Sequence, residues 1–254
     1  MSDIEERKPN PVTLAAGGGG KAMGELIGGL LFKYFKSPEL HEMRDASYLN
    51  ISGELAFSTD SFVITPEFFP GGDIGKLAVA GTTNDLACAG AEPLYLSCSL
   101  IIPEGYDLNT LELVISSMAN AAAMAGVEIV TGDTKVVPHG ELKGLFINTA
   151  CIGRVKKRVN EYTNIKAGDK VIISSDIARH GVSVFLARQE LGFTGKIESD
   201  CNVLCKMLNN VLEYDVRFIR DATRGGGAAV MNEGAEKAGL GGERKENQNT
   251  RQGE

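Results

Sequence analysis

Four aspartates stand in contexts that make their carboxylates candidates for metal chemistry. Asp60 in FSTDS, Asp133 in VTGDTK and Asp221 in FIRDATRGGG each follow a predicted strand. Asp85 in GTTNDLA lies inside a predicted helix rich in small residues. Aspartates that leave strand ends can converge on one rim of a sheet, where they repel one another unless a cation lies between them. Oxygen-only ligands suit Mg²⁺, which usually also binds substrate phosphates.

Basic side chains could complete a site for the phosphates of ATP beside these acids. A glycine run follows Arg224, so backbone N–H groups at that point could also reach an anion. A lone aspartate is more simply an N-cap or a turn residue, so the interpretation as a metal and nucleotide site depends on the whole set. The candidate cations are Lys21, Lys76, Lys135 and Arg224.

The glycine-rich stretch LAAGGGGKAM, residues 14–23, invites comparison with the P-loop pattern G-x-x-x-x-G-K-[ST]. Ala15 stands where the first glycine is required, and Ala22 stands where a magnesium-binding hydroxyl is required. The preceding residues are polar and charged, which does not predict a buried strand. The stretch is therefore not a P-loop. A glycine loop that ends in Lys21 still suits an anion, and a mobile linker stays an open alternative.

The elements that must position these side chains follow from apolar periodicity and capping signals. Helical spacing predicts a helix over residues 21–35. Asp73 and Asp107 are predicted N-caps of two further helices, which end near Ala89 and at Gly126. Alternating strands and helices predict an α/β or α+β layered fold. The predicted strands are residues 54–59, 62–64, 94–102, 127–131 and 145–155.

The chain divides at a charged, polar segment, residues 156–164, which we interpret as a linker between two domains. The first domain is expected to be complete and the second only half-built. Within the second, we expect strands at 169–174 and 216–219 and helices near 181–191, 203–213 and 226–238. The expected divisions are a flexible tail at 1–12, domains at 13–155 and 166–240, and an aberrant tail at 241–254.

Composition favours a cytoplasmic globular protein. The net charge of −7 does not favour binding to nucleic acid. The N-terminus has no apolar stretch after its charges, and no apolar run is long enough to span a membrane. The five cysteines are an odd number without an export signal, so we expect reduced thiols. The C-x-x-x-C pair, Cys201 and Cys205, has no second pair or nearby histidine to complete a zinc site.

Five runs of sequence are specific in combination. They are FSTDSFVI, FFPGGDIGKLAVAGTTNDLACAGAEPLYLS, VEIVTGDTKVV, LFINTACIG and RDATRGG. Together they closely resemble the HypE family of hydrogenase-maturation proteins, in the AIR-synthetase-related (PurM-like) superfamily, over roughly residues 12–240. The resemblance implies an α/β (α+β) fold. A PurM-like N-terminal domain with a mixed sheet covered by helices would precede an incomplete PurM-like C-terminal domain.

The resemblance also implies an activity, that of an ATP-dependent carbamoyl dehydratase. In the family, a HypF-like carbamoyltransferase places a carbamoyl group on the sulfur of a C-terminal cysteine. ATP then drives dehydration of this S-carboxamide to a thiocyanate, and the cyanide reaches the iron of a [NiFe]-hydrogenase through the HypC–HypD complex. Family members form homodimers through the first domain, residues 13–155 here, and bind ATP with Mg²⁺ between the domains.

Residue roles can be carried over from the family's motifs. Asp60, Asp85 and Asp221 match Mg²⁺ ligands. Lys135 of the GDTK motif is a candidate for proton transfer or oxyanion stabilisation near the thiocarboxamide. The matched nucleotide and phosphate contacts are Lys21, Lys76, Asn84, Asp133, Thr134 and Arg224.

The chain departs from the family pattern at three places. In the glycine loop, Ala16 and Gly18 replace a histidine and a serine. In the family's Gly-Asp-His-Gly motif, here residues 178–181, a base replaces the acid. After Leu240 the chain reads GGERKENQNTRQGE, without the rest of the second domain or the carrier cysteine. We interpret the residues from about Gly242 as the product of a frameshift or a sequencing error.

Two readings of the chain follow. It is a carbamoyl dehydratase, impaired by the missing cysteine, or it is a non-catalytic truncated module for dimerisation and partner binding. Selenophosphate synthetase is disfavoured because the glycine loop has no cysteine, and thiamine-phosphate kinase because it lacks FFPGGDIGKLA. In both readings we expect exposed apolar surface on the helices after residue 181.

Overall fold

The computed structural model describes residues 10–188, 195–223 and 225–240. A π-helical stretch occupies Ile27–Leu31, and 3-10 turns occupy Leu14–Gly17 and Tyr162–Asn164. The strands are β1 (Leu55–Phe62), β2 (Phe68–Phe69), β3 (Gly72–Asp73), β4 (Ala91–Pro103), β5 (Glu128–Val137) and β6 (Phe146–Val155). The helices are α1 (Gly20–Leu26), α2 (Phe32–Tyr34), α3 (Pro38–His41), α4 (Ile74–Cys88), α5 (Leu108–Ala125), α6 (Arg179–Arg188), α7 (Cys205–Val211) and α8 (Gly226–Lys237).

A mixed four-stranded sheet in the order β1-β6-β4-β5 forms the centre of the first domain. Strands β4 and β5 are parallel and are joined by α5, whereas β6 is antiparallel to both of its neighbours. The predicted break at Asp60 and Ser61 is wrong. Both residues pair with β6, so β1 runs unbroken to Phe62.

Helices α4 and α5 pack together over one face of this sheet. Their ends lie where the capping residues predict. Asp73 begins α4 by accepting hydrogen bonds from the backbone N–H groups of Gly75 and Lys76, at 2.8 and 3.1 Å. Gly126 ends α5 in a left-handed conformation, with φ of 77°. A Cβ atom on Gly75 would stand 2.4 Å from the Val114 carbonyl oxygen, so the two helices approach closely only because this residue is glycine.

One β-bulge decides which side chains of β5 face the helices. Leu96 pairs with Ile129 but Ser97 pairs with Thr131, so Val130 is an extra residue in β5. Ile129 and Val130 are consequently both buried, and the alternation of faces restarts one residue later.

The predicted loose tail is wrong at its end, residues 10–12. The Val12 N–H donates to the Tyr106 carbonyl oxygen at 2.8 Å, and the Leu108 N–H donates to the Asn10 carbonyl oxygen at the same distance. Val12 is only 4% exposed, so the segment is held by burial as well as by hydrogen bonds. Residues 1–9 lie outside the described part of the chain.

The second half of the chain differs from the prediction in its strands. Beyond Val155 the described residues contain helices but no strand, so the strands expected at 169–174 and 216–219 are wrong. A strand needs a neighbour for its backbone groups and a covered face, and Ile172 is 91% exposed. The predicted helices appear as α6, α7 and α8, although residues 189–191 lie outside the described ranges.

The expected apolar surface after residue 181 is present on α6, where Val182 and Phe185 are 40% and 41% exposed. Strand β2 contacts α6, where Phe69 packs against His180, but this contact leaves Val182 and Phe185 partly exposed. None of the helices in the described ranges is both long and apolar enough to cross a bilayer.

Candidate functional site

Helix α4 carries Asp85 to the surface of β1. A Cβ atom on Gly81 would stand 2.8 Å from the Phe62 ring, so the absence of a side chain there lets helix and strand approach. Thr82 bonds Thr149 of β6 through their hydroxyl groups at 2.6 Å and fixes the helix against the sheet. One turn beyond Gly81, Asp85 Oδ2 accepts a hydrogen bond of 2.8 Å from the Ser58 hydroxyl of β1.

The three predicted Mg²⁺ ligands are linked because the charges of Asp60 and Asp221 both act on Asp85, and we call these three residues the acidic cluster. Asp60 lies two residues after Ser58, on the same face of β1. Burial raises the pKa of Asp85 above its ordinary value; the Ser58 hydrogen bond opposes this rise, and the charges of Asp221 and Asp60 add to it. The acidic cluster therefore combines one position of β1 and one position of α4 with the Asp221 loop, which lies more than 130 residues later in sequence.

The donor set of the acidic cluster fits one kind of cation site. In the described ranges, no three His, Cys, Asp or Glu side chains are gathered closely enough to hold a metal ion by themselves. A metal centre enclosed by protein ligands therefore does not fit. Mg²⁺ usually takes one or two carboxylates and completes its shell with water and substrate phosphates, and the carboxylates of the acidic cluster fit that arrangement.

Asp133 and Lys135 lie on the other face of the sheet. They pair with Ser99 and Ile101 of β4, whose side chains point away from α4 and α5. The expectation that the aspartates converge on one rim is therefore wrong for Asp133 within one chain. The reason is the two-residue period of a strand, which the β5 bulge shifts by one position. Thr134 points to the helix side and is 6% exposed.

The predicted phosphate contacts occupy separate places. Lys21 is exposed and pairs with Glu25 at 3.7 Å. Its glycine loop borders β5, because a Cβ on Gly17 would stand 2.5 Å from the Val136 nitrogen. Lys76 Nζ donates to the Gly71 carbonyl oxygen at 3.1 Å. Arg224 lies outside the described residues, so its expected role stays a prediction.

Asn84 uses both ends of its amide on the second half of the chain. Its Nδ2 donates to the Asn202 carbonyl oxygen at 2.9 Å, and its Oδ1 accepts from the Leu204 N–H at 2.8 Å.

Ser58 is the site residue that sequence reasoning missed. Its signal was present, because a residue two positions before Asp60 in a strand shares its face.

The five cysteines are all free thiols. Burial raises the pKa of Cys88, Cys98 and Cys151 to about 12 and that of Cys201 to about 11. Only Cys201 is not fully buried, and four thiols with strongly raised pKa values are poor nucleophiles at neutral pH.

Comparison with known proteins adds to this geometry. The family described as "AIR synthase related protein, N-terminal domain" matches residues 43–155, and the corresponding C-terminal domain family matches residues 166–252. "Carbamoyl dehydratase HypE" of Escherichia coli K12 is 45% identical over 240 residues, which are 91% of this chain and 71% of the relative. The chain belongs to the HypE family.

Further HypE proteins agree with this assignment. HypE of Rhodobacter capsulatus is 43% identical over 236 residues, covering 91% of this chain and 69% of the relative. A crystal structure of HypE in complex with ATP superposes with a TM-score of 0.85 at 43% identity, covering 89% of this chain and 69% of that one. A HypE–HypF complex superposes with a TM-score of 0.70 at 42% identity, covering 85% and 71%.

The HypE likeness confirms the predicted fold class, a PurM-like mixed sheet covered by helices. The chain spans about 70% of the length of these HypE relatives. The second family match runs to residue 252 and so enters the segment 241–254, whose structure lies outside the described residues.

Proposed function

We propose that this chain is an ATP-dependent carbamoyl dehydratase of [NiFe]-hydrogenase maturation. It would convert the S-carboxamide of a C-terminal cysteine to a thiocyanate, the source of a cyanide ligand. The observation that carries the proposal is the acidic cluster, in which the hydrogen bond from Ser58 holds Asp85 beside Asp60 and Asp221. A HypE relative solved in complex with ATP supports ATP binding by this chain.

The acidic cluster would hold Mg²⁺ together with phosphate oxygens. The cation, when bound, neutralises charge on the transferred phosphoryl group. Lys76, in the first turn of α4, and Lys21, which is exposed, would add positive charge at the phosphates. Arg224 would do the same from the glycine-rich turn that precedes α8.

Dehydration of an amide needs a leaving group and a base. An amide oxygen leaves poorly, whereas its phosphate ester leaves well, so ATP would first phosphorylate this oxygen. A positioned base must then take the N–H proton. Lys135 is our candidate for that proton transfer or for stabilising the oxyanion, with Asp133 beside it on the same face of β5 and Thr134 supporting the strand from the helix side.

Lys135 lies on the opposite sheet face from the acidic cluster of its own chain, which favours a homodimer. The face that carries Lys135 also exposes Phe57, Val63 and Ile101, by 67%, 57% and 40%. Exposed apolar side chains gathered on one face are typical of an interaction surface. We propose that two copies pair through this face and that Lys135 of each serves the partner's site.

The carrier cysteine comes from outside the five thiols of this sequence. Four are buried, and burial raises the pKa of the half-buried Cys201 to about 11, so none presents a ready thiolate. We therefore propose that the carrier cysteine is none of these five thiols and that a peptide cysteine can take its place in an assay. A HypF-like carbamoyltransferase, as in the solved HypE–HypF complex, would load the carrier cysteine, and a HypC–HypD complex would receive the cyanide.

The direct test supplies the purified chain with Mg·ATP and a synthetic peptide that ends in S-carboxamide cysteine. We expect ADP formation and a peptide that has lost one water, with neither product from Asp85→Asn. Peptide left intact by the wild-type chain, with no ADP formed, would overturn the proposed activity.

A second candidate is a non-catalytic module for dimerisation and partner binding. The exposed run Val171, Ile172 and Ile173, at 69%, 91% and 53%, favours it because such a surface suits a protein partner. The same assay separates the two functions. A module would bind a HypF-like partner with unchanged affinity in Asp85→Asn and would release no ADP.

A further inference from the structure

Asn84 joins α4 to the second half of the chain through two hydrogen bonds. Its amide nitrogen donates to the Asn202 carbonyl oxygen, and its amide oxygen accepts from the Leu204 N–H, at 2.9 and 2.8 Å. These partners lie 118 and 120 residues later in sequence. The amide of Asn84 offers a donor and an acceptor side by side on one planar group, so the pair of contacts depends on the residue type.

The same stretch of the second half packs on α4 beside these bonds. Cys205, the first residue of α7, is 6% exposed, and its Sγ lies 3.7 Å from the Thr83 carbonyl oxygen. Leu208 of α7 is buried in the core of the first domain. The docked unit is therefore residues 202–211, which we call the α7 segment.

The α7 segment leads directly to the third acid of the cluster. After α7 the chain continues to Ile219, whose N–H donates to the Val159 carbonyl oxygen at 2.7 Å, and then to Asp221. Cys88, at the end of α4, interacts electrostatically with both Asp221 and Cys205. One turn of α4 is thus flanked by the start of the α7 segment and by the Asp221 loop.

We infer that Asn84 is a positioning residue, which docks the α7 segment on α4 and thereby fixes Asp221 opposite Asp85. The inference rests on the proposed function, because the property it concerns is the affinity for Mg·ATP. This positioning role replaces the nucleotide contact that the sequence predicts for Asn84, because backbone groups engage both the nitrogen and the oxygen of its amide. Coupling between two sites is reciprocal, so bound Mg·ATP should in turn tighten the α7 segment.

The test combines hydrogen exchange with calorimetry on the full chain. Without ligand, Asn84→Ala should speed exchange in residues 202–211 about tenfold and weaken Mg·ATP binding about tenfold, the scale of one or two lost hydrogen bonds. Asp85→Asn should abolish binding and leave exchange in residues 202–211 near the wild-type rate. Asn84→Leu, which keeps a similar shape without adding a charge and loses both the donor and the acceptor, carries the test if Asn84→Ala does not fold.

The outcomes separate this inference from the proposed function. Weaker binding by Asn84→Ala with unchanged exchange would make Asn84 a direct ligand contact and overturn the positioning role. Faster exchange with unchanged affinity would make the contact purely structural and would also overturn it. If the wild-type chain binds no Mg·ATP, the proposed function fails first, and the positioning role falls with it.

Discussion

The hydroxyl of Ser58 donates a hydrogen bond of 2.8 Å to Oδ2 of Asp85, and so joins β1 to the last turn of α4. This bond favours the ionised form of a carboxylate whose pKa burial raises, since it opposes that shift. It also fixes the direction of the carboxylate between strand and helix.

Ser58→Ala should weaken Mg·ATP binding about tenfold, because a hydrogen bond to a charged group is lost at the acidic cluster. Calorimetric titration measures the change. Ser61→Ala is the matched control, since Ser61 lies on the opposite face of the same strand and should leave affinity unchanged. Equal losses in both variants would mean that strand stability, not the contact with Asp85, sets affinity.

Asp85→Asn should stabilise the ligand-free chain at neutral pH while abolishing cation binding. The folded-state pKa of Asp85 is raised above 3.8, chiefly by burial, so the folded state holds this proton more tightly than the unfolded state. Stability from the protonated form is present at low pH and is lost as pH rises through the raised pKa. Thermal melts from pH 4 to 8 should show the wild-type chain losing stability relative to Asp85→Asn over that window. Parallel curves would contradict this.

The contact between Phe69 and His180 should weaken in acid. His180 packs edge-on against Phe69 and bonds the Ser199 hydroxyl at 3.0 Å, and burial lowers its pKa, although the charge of Asp200 opposes the shift. Because the folded state lowers this pKa, it binds the proton less tightly than the unfolded state does. Stability that is present above pH 6.5, the ordinary histidine value, is therefore lost as the pH falls below 6.5. The melting temperature should therefore fall between pH 7.5 and 5.5.

His180→Gln should remove most of this acid sensitivity, whereas His139→Gln, on an exposed turn, should retain it. Melting curves of the three chains at the two pH values decide the matter. An acid sensitivity that survives unchanged in His180→Gln would assign it to other groups.

Ala178→Gly should raise the free energy of unfolding by about 1 kcal/mol, because Ala178 has φ of 67° in the left-handed region that glycine adopts without cost. Ala187→Gly, inside α6, should change stability in the opposite direction by about 0.5–1 kcal/mol. Urea unfolding of both variants gives the comparison. A loss of stability in Ala178→Gly would show that the alanine is not strained.

A heterodimer of Lys135→Ala and Asp85→Asn chains should recover activity that neither homodimer has. If Lys135 serves the partner's acidic cluster, the heterodimer contains one intact site of two and should form ADP at about half the wild-type rate. Dual affinity tags isolate the heterodimer for the assay. An inactive heterodimer would place both residues in one chain's site.

The sequence predicts the local parts of this site because their signals are local. Asp73 and Gly126 mark helix ends by their own backbone chemistry, and the structure confirms both. The shared face of Ser58 and Asp60 likewise follows from the period of a strand. The family resemblance supplied the grouping of Asp85 with Asp221, which no local pattern contains.

Other features depend on long-range contacts and could not be read in this way. The strand expected at 169–174 has the right composition, but no strand among the described residues pairs with it. The contacts of Asn84 lie more than 100 residues away along the chain. The placement of Asp133 depends on how β5 pairs with β4, which its own sequence does not specify.

The bulge at Val130 sets which face of the sheet the later side chains of β5 occupy. If Val130 paired with Ser97 and no bulge formed, Asp133 would pair with Leu100, and its carboxylate would point into the layer between sheet and helices. Deleting Val130 would therefore remove the bulge and still leave Asp133 opposite Ser99, whereas pairing the same residues without a bulge would turn the GDTK side chains inside out.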